Sequence, residues 1–197
     1  MRYFLEVLPF ALIVTALFEL FRYLWLKKRG RRRRTLSREL SLGLFSCYLA
    51  GLFGLVCTPA NTWSYLFYFL RHGQSGGELA PLFSGEFNLI PTIFKYISGE
   101  YTSDGWVWSM LLGNVVMYLP MGFLAMWVLP RATYLKAIAL GFNISLVTEL
   151  FQPIVGRSFD TDDLILNGIG VVVGAALYLL FRKLFPKINL LKNESDG

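Results

Sequence analysis

The chain has 197 residues, of which 55% are hydrophobic and only 16% are charged, and its formal net charge is +6. A soluble domain of ordinary composition carries roughly 25% charged residues, so this composition excludes that class and indicates a protein of the lipid bilayer. The positive charge is concentrated in short segments beside apolar runs, where anionic lipid headgroups are the nearest partners. We therefore expect membrane lipid as a partner and no nucleic acid.

The apolar residues form runs that are long enough for membrane helices. A spanning helix needs about 20 mainly apolar residues to cross roughly 30 Å of hydrocarbon. Five runs reach or nearly reach that length, and they are about Tyr3–Leu26, Leu40–Pro59, Trp106–Leu129, Leu135–Val155 and Leu164–Phe181. The predicted fold class is all-α: one polytopic membrane helical bundle of about five transmembrane helices, without an internal repeat.

The first run resembles a signal peptide only superficially. It has no basic segment before it beyond Arg2, it is too long for the apolar core of a signal peptide, and no small-residue cleavage site follows it. We expect it to remain as the first spanning helix. Glu19 and Arg22 lie three residues apart on one face of this helix, so they are expected to neutralise each other in a structural pair.

Basic residues predict the orientation of the bundle. Lys27–Arg38 follows the first run and holds nearly half of the lysines and arginines, and short loops of this kind stay in the cytoplasm. Further basic residues follow the third and fifth runs: Arg131, Lys136, Arg182, Lys183 and Lys187. If the N-terminus is outside, all three basic segments lie on the cytoplasmic side of the membrane. We predict a multi-pass protein of the cell membrane with a cytoplasmic C-terminus.

The outer side then consists of Asn61–Gly105 and a short loop, Gly156–Asp163. The longer segment contains two aromatic pieces, Trp63–Leu70 and Phe87–Ile97, which are too short to span the bilayer. Because aromatic side chains favour the headgroup region, we expect an interfacial or re-entrant placement. The segment His72–Glu78 between them predicts a flexible turn that holds the sole histidine as a solvated side chain.

Known catalytic motifs are missing from the sequence. It has no glycine-rich phosphate loop, no G-x-S-x-G and no H-E-x-x-H. Cys47 and Cys57 lie ten residues apart on one predicted helix. That spacing is about 15 Å, too far for a disulfide. A cation held by the D-T-D-D segment at Asp160 is conceivable, but the later glycine and glutamate of an EF-hand loop are absent. We predict no metal and no cofactor.

A group of polar residues is predicted to meet in the outer leaflet. Glu149 and Gln152 share one face at the end of the fourth helix, and Pro153 predicts where that helix ends. Asp160, or alternatively Asp162, is expected to cap the fifth helix. The candidate ligand-binding residues are Asn88, Asn114, Glu149, Gln152, Arg157, Asp160, Asp163 and Asn167. Polar groups at a membrane boundary are costly to desolvate, so such a cluster is a candidate for function.

A purely structural role is the alternative. Helix capping, an Arg157–Glu149 pair and interhelical bonds from Asn114 and Asn167 would account for most of these residues. Gly170 and Gly174 form a small-xxx-small pair that indicates close helix packing. We favour packing for the individual asparagines. For the assembled group we favour function, since so many polar residues on one rim exceed what packing requires.

Four motifs in this region carry a family resemblance. They are N-L-I-P at Asn88–Pro91, N-V-V-M-Y-L-P-M-G-F-L at Asn114–Leu124, E-L-F-Q at Glu149–Gln152, and R-S-F-D-T-D-D-L-I-L-N-G-I-G-V-V-V-G at Arg157–Gly174. With their order and spacing, they resemble the VanZ-like family of bacterial membrane proteins, which usually has Phe where this chain has Thr92 and Tyr118. The resemblance implies three regions: an additional N-terminal transmembrane helix and basic cytoplasmic loop at 1–39, a VanZ-like membrane domain at 40–185, and a polar tail at 186–197.

The resemblance implies low-level resistance to teicoplanin-type glycopeptide antibiotics without the altered D-Ala-D-Lac precursor machinery. The expected partners are membrane lipid and either a lipid-linked cell-wall precursor or the glycopeptide itself, met at the outer face. An intramembrane enzyme acting on a lipid or cell-wall substrate is the rival, with Glu149 and either Asp160 or Asp163 as general acid and base. A transporter has less support, because five helices without an inverted repeat are few. The sequence leaves enzymatic activity, the natural ligand and the oligomeric state open.

Overall fold

The computed structural model describes residues 2–30, 36–74, 76–91, 105–129 and 133–185. Within these ranges the chain forms six α-helices, α1 Arg2–Lys28, α2 Leu36–Val56, α3 Thr62–His72, α4 Gly105–Val128, α5 Tyr134–Phe151 and α6 Thr161–Leu184. A short 3-10 helix, Gln152–Val155, follows α5. Two residues of strand β1, Phe87–Asn88, pair in parallel with strand β2, Phe159–Asp160. The predicted all-α fold class is confirmed.

Most of the helices are long and apolar enough to span a membrane. Four spans satisfy both criteria: Leu5–Lys28, Arg38–Val56, Tyr134–Val155 and Thr161–Leu184. Helix α4 is 24 residues long, and its described side chains form a shorter apolar stretch, Leu112–Val128. These elements match the five predicted runs to within a few residues at most ends. The chain is therefore a helical membrane protein.

Helices α4 and α6 are in direct backbone contact. A Cβ atom added at Gly174 would lie 1.9 Å from the Leu119 carbonyl oxygen, and one at Gly170 would lie 2.3 Å from that of Val115. Only glycine fits at such distances, so the pair is a close-packing contact, as its spacing predicted. This contact sets Asn114 on α4 beside the first turn of α6.

The core lies where α2, α5 and α6 surround α4. Its completely buried members include Tyr118, Met121 and Val171. The Tyr48 hydroxyl on α2 donates a hydrogen bond to the Met117 carbonyl oxygen at 3.0 Å, which attaches α2 to α4. The core thus holds together the helices that carry the polar residues described below.

Helix α1 packs against α2 and is joined to it by charge. The predicted Glu19–Arg22 pair is present, with 3.7 Å between Arg22 Nη1 and Glu19 Oε2. The prediction was incomplete, because Arg22 also donates two hydrogen bonds to Glu39 on α2, one of 2.9 Å from Nη2 to Oε1. Spacing along one helix predicted the first acid, but the second depends on how two helices pack.

The aromatic piece Trp63–Leu70 lies in a helix, α3, that is docked on the bundle. Trp63, at the start of α3, is buried, its Nε1 donates to the Gly54 carbonyl oxygen at 2.6 Å, and its ring lies 5.0 Å from that of Phe10. His72 is not in a turn, contrary to prediction. It is the last residue of α3, because Gly73 adopts the left-handed conformation (φ 68°) that caps the helix. Of the second piece, Phe87–Ile97, residues from 92 onwards lie outside the described ranges.

Candidate functional site

The connection between α5 and α6 turns the chain back on itself. Helix α5 ends at Phe151, and the 3-10 helix that contains Pro153 ends at Val155 and is capped by Gly156, whose φ is 74°. Asp160 caps α6, as predicted, and its carboxylate accepts a hydrogen bond from the Asp162 amide at 3.1 Å. The polar end of α5 therefore faces the first turns of α6.

A buried hydrogen-bond network joins these two helices. Glu149 is 2% exposed, and its Oε1 accepts bonds from Gln152 Nε2 at 3.0 Å and from Asn167 Nδ2 at 3.4 Å. Asn167 is 1% exposed and also donates to Ser145 Oγ at 3.0 Å. Among the described residues, Glu149 Oε2 and Asn167 Oδ1 have no hydrogen-bond partner. One buried oxygen of each of these two side chains thus lacks a hydrogen-bond partner within the network, and the backbone of Asp160 lies close enough to act on the Glu149 carboxyl.

Helix α4 contributes a side-chain amide to the site. Asn114 Nδ2 on α4 donates a hydrogen bond to Asp163 Oδ1 on α6. The Asp163 carboxyl interacts electrostatically with that of Glu149, so the network and this pair form one cluster. Asn114, Asp163 and Glu149 come from three different helices. The sequence predicted only that they lie in the same leaflet, and the structure shows that they belong to one cluster.

Arg157 lies between the acids and the end of α2. Its Nη1 donates to the Leu55 carbonyl oxygen at 2.5 Å, and its charge acts on the carboxyls of both Glu149 and Asp163. The last carbonyl groups of a helix lack partners within the helix and carry a partial negative charge, so a guanidinium is well accommodated there. The suggested direct Arg157–Glu149 ion pair is not formed within the described part of the chain. The long-range bond to α2 replaces it.

Asn88 reaches the site through its backbone. It pairs with Asp160 in the β1–β2 bridge, and the Thr161 hydroxyl donates to the Asn88 carbonyl oxygen at 3.2 Å. The loop before β1 lies tightly on the α5–α6 turn, because a Cβ at Gly85 would be only 1.8 Å from the Arg157 carbonyl oxygen. This loop covers the turn and fixes its backbone.

The structure brings the eight candidate residues to one end of the bundle, and their role in binding stays a prediction. We call the connected set Asn114, Glu149, Gln152, Arg157, Asp160, Asp163 and Asn167 the polar cluster. Sequence reasoning left out several buried neighbours. Asp162 is 5% exposed, and Tyr118 shares a 2.7 Å hydrogen bond with Thr148 Oγ1.

A signal for the omitted residues on α5 was present in the sequence. Ser145, Thr148, Glu149 and Gln152 are separated by steps of three, one and three residues, which places them on one side of a helix. The polar face of α5 is therefore about one turn longer than the Glu149–Gln152 pair indicated. Asn167 donates the shorter of its two hydrogen bonds to Ser145 and the longer one to Glu149.

The described residues contain neither an assembled group of metal ligands nor a disulfide. Within them, no group of three or more His, Cys, Asp or Glu side chains is placed to hold a metal ion. Both cysteines are free. Burial raises the pKa of the Cys57 thiol to about 11, although the nearby Arg157 charge acts in the opposite direction. Since the thiolate is the nucleophilic form, we expect Cys57 to react slowly at neutral pH.

Fold and site together define a polytopic helical membrane protein with a buried polar cluster at one end of its bundle. The profile of the VanZ/LLP1 family matches residues 45–182, and the chain belongs to this family. The matched range contains all eight candidate residues, whereas α1 precedes it. No curated protein and no solved structure matches the chain.

Proposed function

We propose that the protein acts at the extracytoplasmic face of the cell membrane, where it lowers the access of teicoplanin-type glycopeptides to the lipid-linked cell-wall precursor. The result is low-level glycopeptide resistance. Lys27 and Lys28 end α1, and Arg182 and Lys183 lie in the last turn of α6, at the opposite end of the bundle from the polar cluster. Basic helix ends stay in the cytoplasm, so the polar cluster is assigned to the outer side.

The observation that carries the proposal is the buried Glu149 carboxyl with an unpartnered oxygen. Leaving a buried acceptor without a donor costs about 1–3 kcal/mol, which packing alone gives no reason to retain. Among the described residues, Glu149 Oε2 and Asn167 Oδ1 are both in this state, side by side in one network. The amide and hydroxyl groups of a peptide- and sugar-bearing precursor are donors of the required kind.

Arg157 supplies the complementary charge. A guanidinium presents several N–H donors in a planar fork that suits phosphate oxygens, and one of them is used for the Leu55 carbonyl. A pyrophosphate-linked lipid carries the anionic group that this fork binds. The acids around Arg157 hold its position, and the loop at Gly85 fixes the backbone of the same residue.

The cellular test uses a susceptible Gram-positive host that expresses the wild type, Arg157→Ala or Arg182→Ala at equal levels. Arg182 is the matched control, because it lies at the other end of the bundle. We expect the wild type and the control to raise the inhibitory concentration of teicoplanin above that of empty vector, and Arg157→Ala to return it to the vector value. Equal susceptibility in all four strains would refute the proposal.

An intramembrane acid–base enzyme is the second candidate, and the proximity of two carboxyls favours it. Glu149 and Asp163 interact electrostatically across α5 and α6, and paired carboxyls are common proton donors and acceptors in catalysis. Glu149→Gln and Asp163→Asn keep the shapes of the two side chains and leave their hydrogen-bond partners, Gln152 and Asn114, unchanged. Both variants lack the carboxyl group that transfers a proton. Loss of resistance in these folded variants together with an altered lipid or muropeptide profile favours the enzyme; retained resistance favours binding.

A further inference from the structure

A cavity with charged, polar and aromatic lining residues, here called the polar cavity, lies between α1 and α3, outside the polar cluster. It has a volume of about 530 Å³, and its lining includes Glu6, Ser64, Phe67, Tyr68, Arg71 and His72. Volumes of this size are typical of sites for small molecules. One wall comes from α1, which precedes the range matched by the family profile. The cavity is therefore partly built by a helix that lies outside the matched range.

The charges in this cavity have opposite signs. Glu6 is mostly buried, and Ser64 Oγ donates to its Oε2 at 2.9 Å. Arg71 lines the same space and provides a fork of donors for phosphate oxygens. Tyr68 lies against His72 with their ring centroids 4.4 Å apart, and an aromatic face attracts an ammonium group. An acid, a guanidinium and aromatic rings together complement a zwitterion that carries both phosphate and ammonium.

An apolar cleft adjoins the polar cavity. It has a volume of about 870 Å³, lies between α1, α2 and α4, and shares Leu5 with the polar cavity. Along α2 it runs from Leu55 to Leu44. At the helical rise per residue this is about 17 Å, roughly half of the hydrocarbon thickness of a bilayer. The cleft has the length and chemistry of one acyl chain in one leaflet.

We propose that the two adjoining cavities bind one zwitterionic aminophospholipid. Its ammonium group lies at Glu6, its phosphate at Arg71, and one acyl chain fills the cleft between α1, α2 and α4. The bound lipid joins α1, which precedes the matched range, to α2, α3 and α4. This site is separate from the polar cluster, and its occupancy does not depend on the function proposed for that cluster.

The test measures lipid retention by the full chain in nanodiscs made from equal amounts of phosphatidylethanolamine and phosphatidylglycerol, with native mass spectrometry as the readout. We expect phosphatidylethanolamine to be enriched on the wild type. Arg71→Gln removes a charge-assisted bond and lowers that retention at least about tenfold. Arg29→Gln is the matched control, since its guanidinium lies over Trp25 at the other end of α1.

A second variant tests the cleft. Gly113 lines it, and a Cβ added there meets nothing within 4 Å, so Gly113→Phe fills the cleft without disturbing the backbone. We expect it to release the lipid, whereas Leu180→Phe on the exposed face of α6 does not. Val116→Trp, at another position lining the cleft, is the substitute if Gly113→Phe does not give a folded protein by gel filtration and circular dichroism.

Several outcomes would overturn the proposal. Equal retention of the two lipids by the wild type removes the zwitterion assignment. Retention unchanged in Arg71→Gln removes the headgroup site, and retention unchanged in the cleft variant removes the acyl-chain site. Displacement of the bound lipid by soluble glycerophosphoethanolamine shows a site for a water-soluble headgroup compound and contradicts the two-part site.

Discussion

The Asn167 side-chain amide lies 3.4 Å from Glu149 Oε1, and both residues are almost completely buried. This bond joins α6 to α5 within the polar cluster, so the asparagine that holds two helices together also touches the central acid. The sequence presented helix packing and ligand binding as alternatives for Asn167. In this geometry, the Asn167 amide can both hold α5 and α6 together and contribute to ligand binding. Measurements of stability test the first role, and measurements of activity test the second.

Asn167→Ala is expected to lower the stability of the bundle by about 1 kcal/mol, because interhelical polar bonds in membranes contribute roughly that amount. The measurement is the thermal unfolding midpoint of the detergent-purified protein. Asn143→Ala is the control, since Asn143 donates to the Ala139 carbonyl oxygen within its own helix and is exposed. Equal shifts for the two variants would show that the interhelical bond contributes nothing.

Gly174→Ala is expected to be more damaging. The added Cβ would overlap the Leu119 carbonyl oxygen, so α4 and α6 must separate, at a cost of about 1–3 kcal/mol. The same substitution at Gly113, where the new Cβ meets nothing within 4 Å, is the control and should not lower the unfolding midpoint, because alanine favours the helix over glycine. If Gly174→Ala has the same unfolding midpoint as the wild type, the close contact between α4 and α6 is wrong.

The Cys57 thiol should react slowly in the folded protein. Its pKa is raised from 9.0 to about 11, so the reactive thiolate is scarce at neutral pH and increases as the pH rises. In a Cys47→Ala background, maleimide labelling should accelerate about tenfold per unit from about pH 7 to about pH 10 without levelling off near 9. The unfolded chain is the control and should level off there; a plateau near 9 in the folded protein contradicts the burial of Cys57.

Arg157→Gln should slow that labelling further. The Arg157 charge favours the Cys57 thiolate, so its removal raises the pKa of the thiol again. Arg182→Gln, far from Cys57 at the end of α6, should have no effect. An unchanged labelling rate in Arg157→Gln would place the guanidinium away from the end of α2.

The proposed orientation predicts which loops are accessible from outside. In a chain whose own cysteines are replaced by alanine, Gln74→Cys follows α3 on the outer side and Lys28→Cys ends α1 on the cytoplasmic side. A membrane-impermeant maleimide should label Gln74→Cys on intact cells and Lys28→Cys only after lysis. The opposite labelling pattern would show that the polar cluster lies on the cytoplasmic side and would contradict the proposed orientation.

Features that depend on neighbouring residues were predictable from the sequence. Apolar run length predicted the spanning helices, Pro153 predicted the end of α5 to within a few residues, and Asp160 was one of the two expected caps of α6, the other being Asp162. The Gly170–Gly174 spacing predicted a close contact. Each of these follows from local geometry or from transfer of a single segment into lipid.

Contacts between distant segments were not predictable in the same way. The Arg157 bond to Leu55 joins residues 102 positions apart, and the second Arg22 partner, Glu39, lies on another helix. The β1–β2 bridge brings a loop before α4 to the cap of α6. Hydropathy specifies which segments enter the membrane but not which helices are neighbours, so the partners of individual side chains became known only from the fold.

Direct binding of the lipid-linked cell-wall precursor is the measurement that tests the central claim. The full-length wild type, Arg157→Gln and Arg71→Gln are titrated with the purified precursor in nanodiscs, Arg71 being a residue of the separate α1–α3 cavity. We predict that the wild type and Arg71→Gln bind equally and that Arg157→Gln binds at least about tenfold more weakly, because a charge-assisted bond to phosphate is lost. No binding by the wild type, or equal binding by all three proteins, would contradict the account.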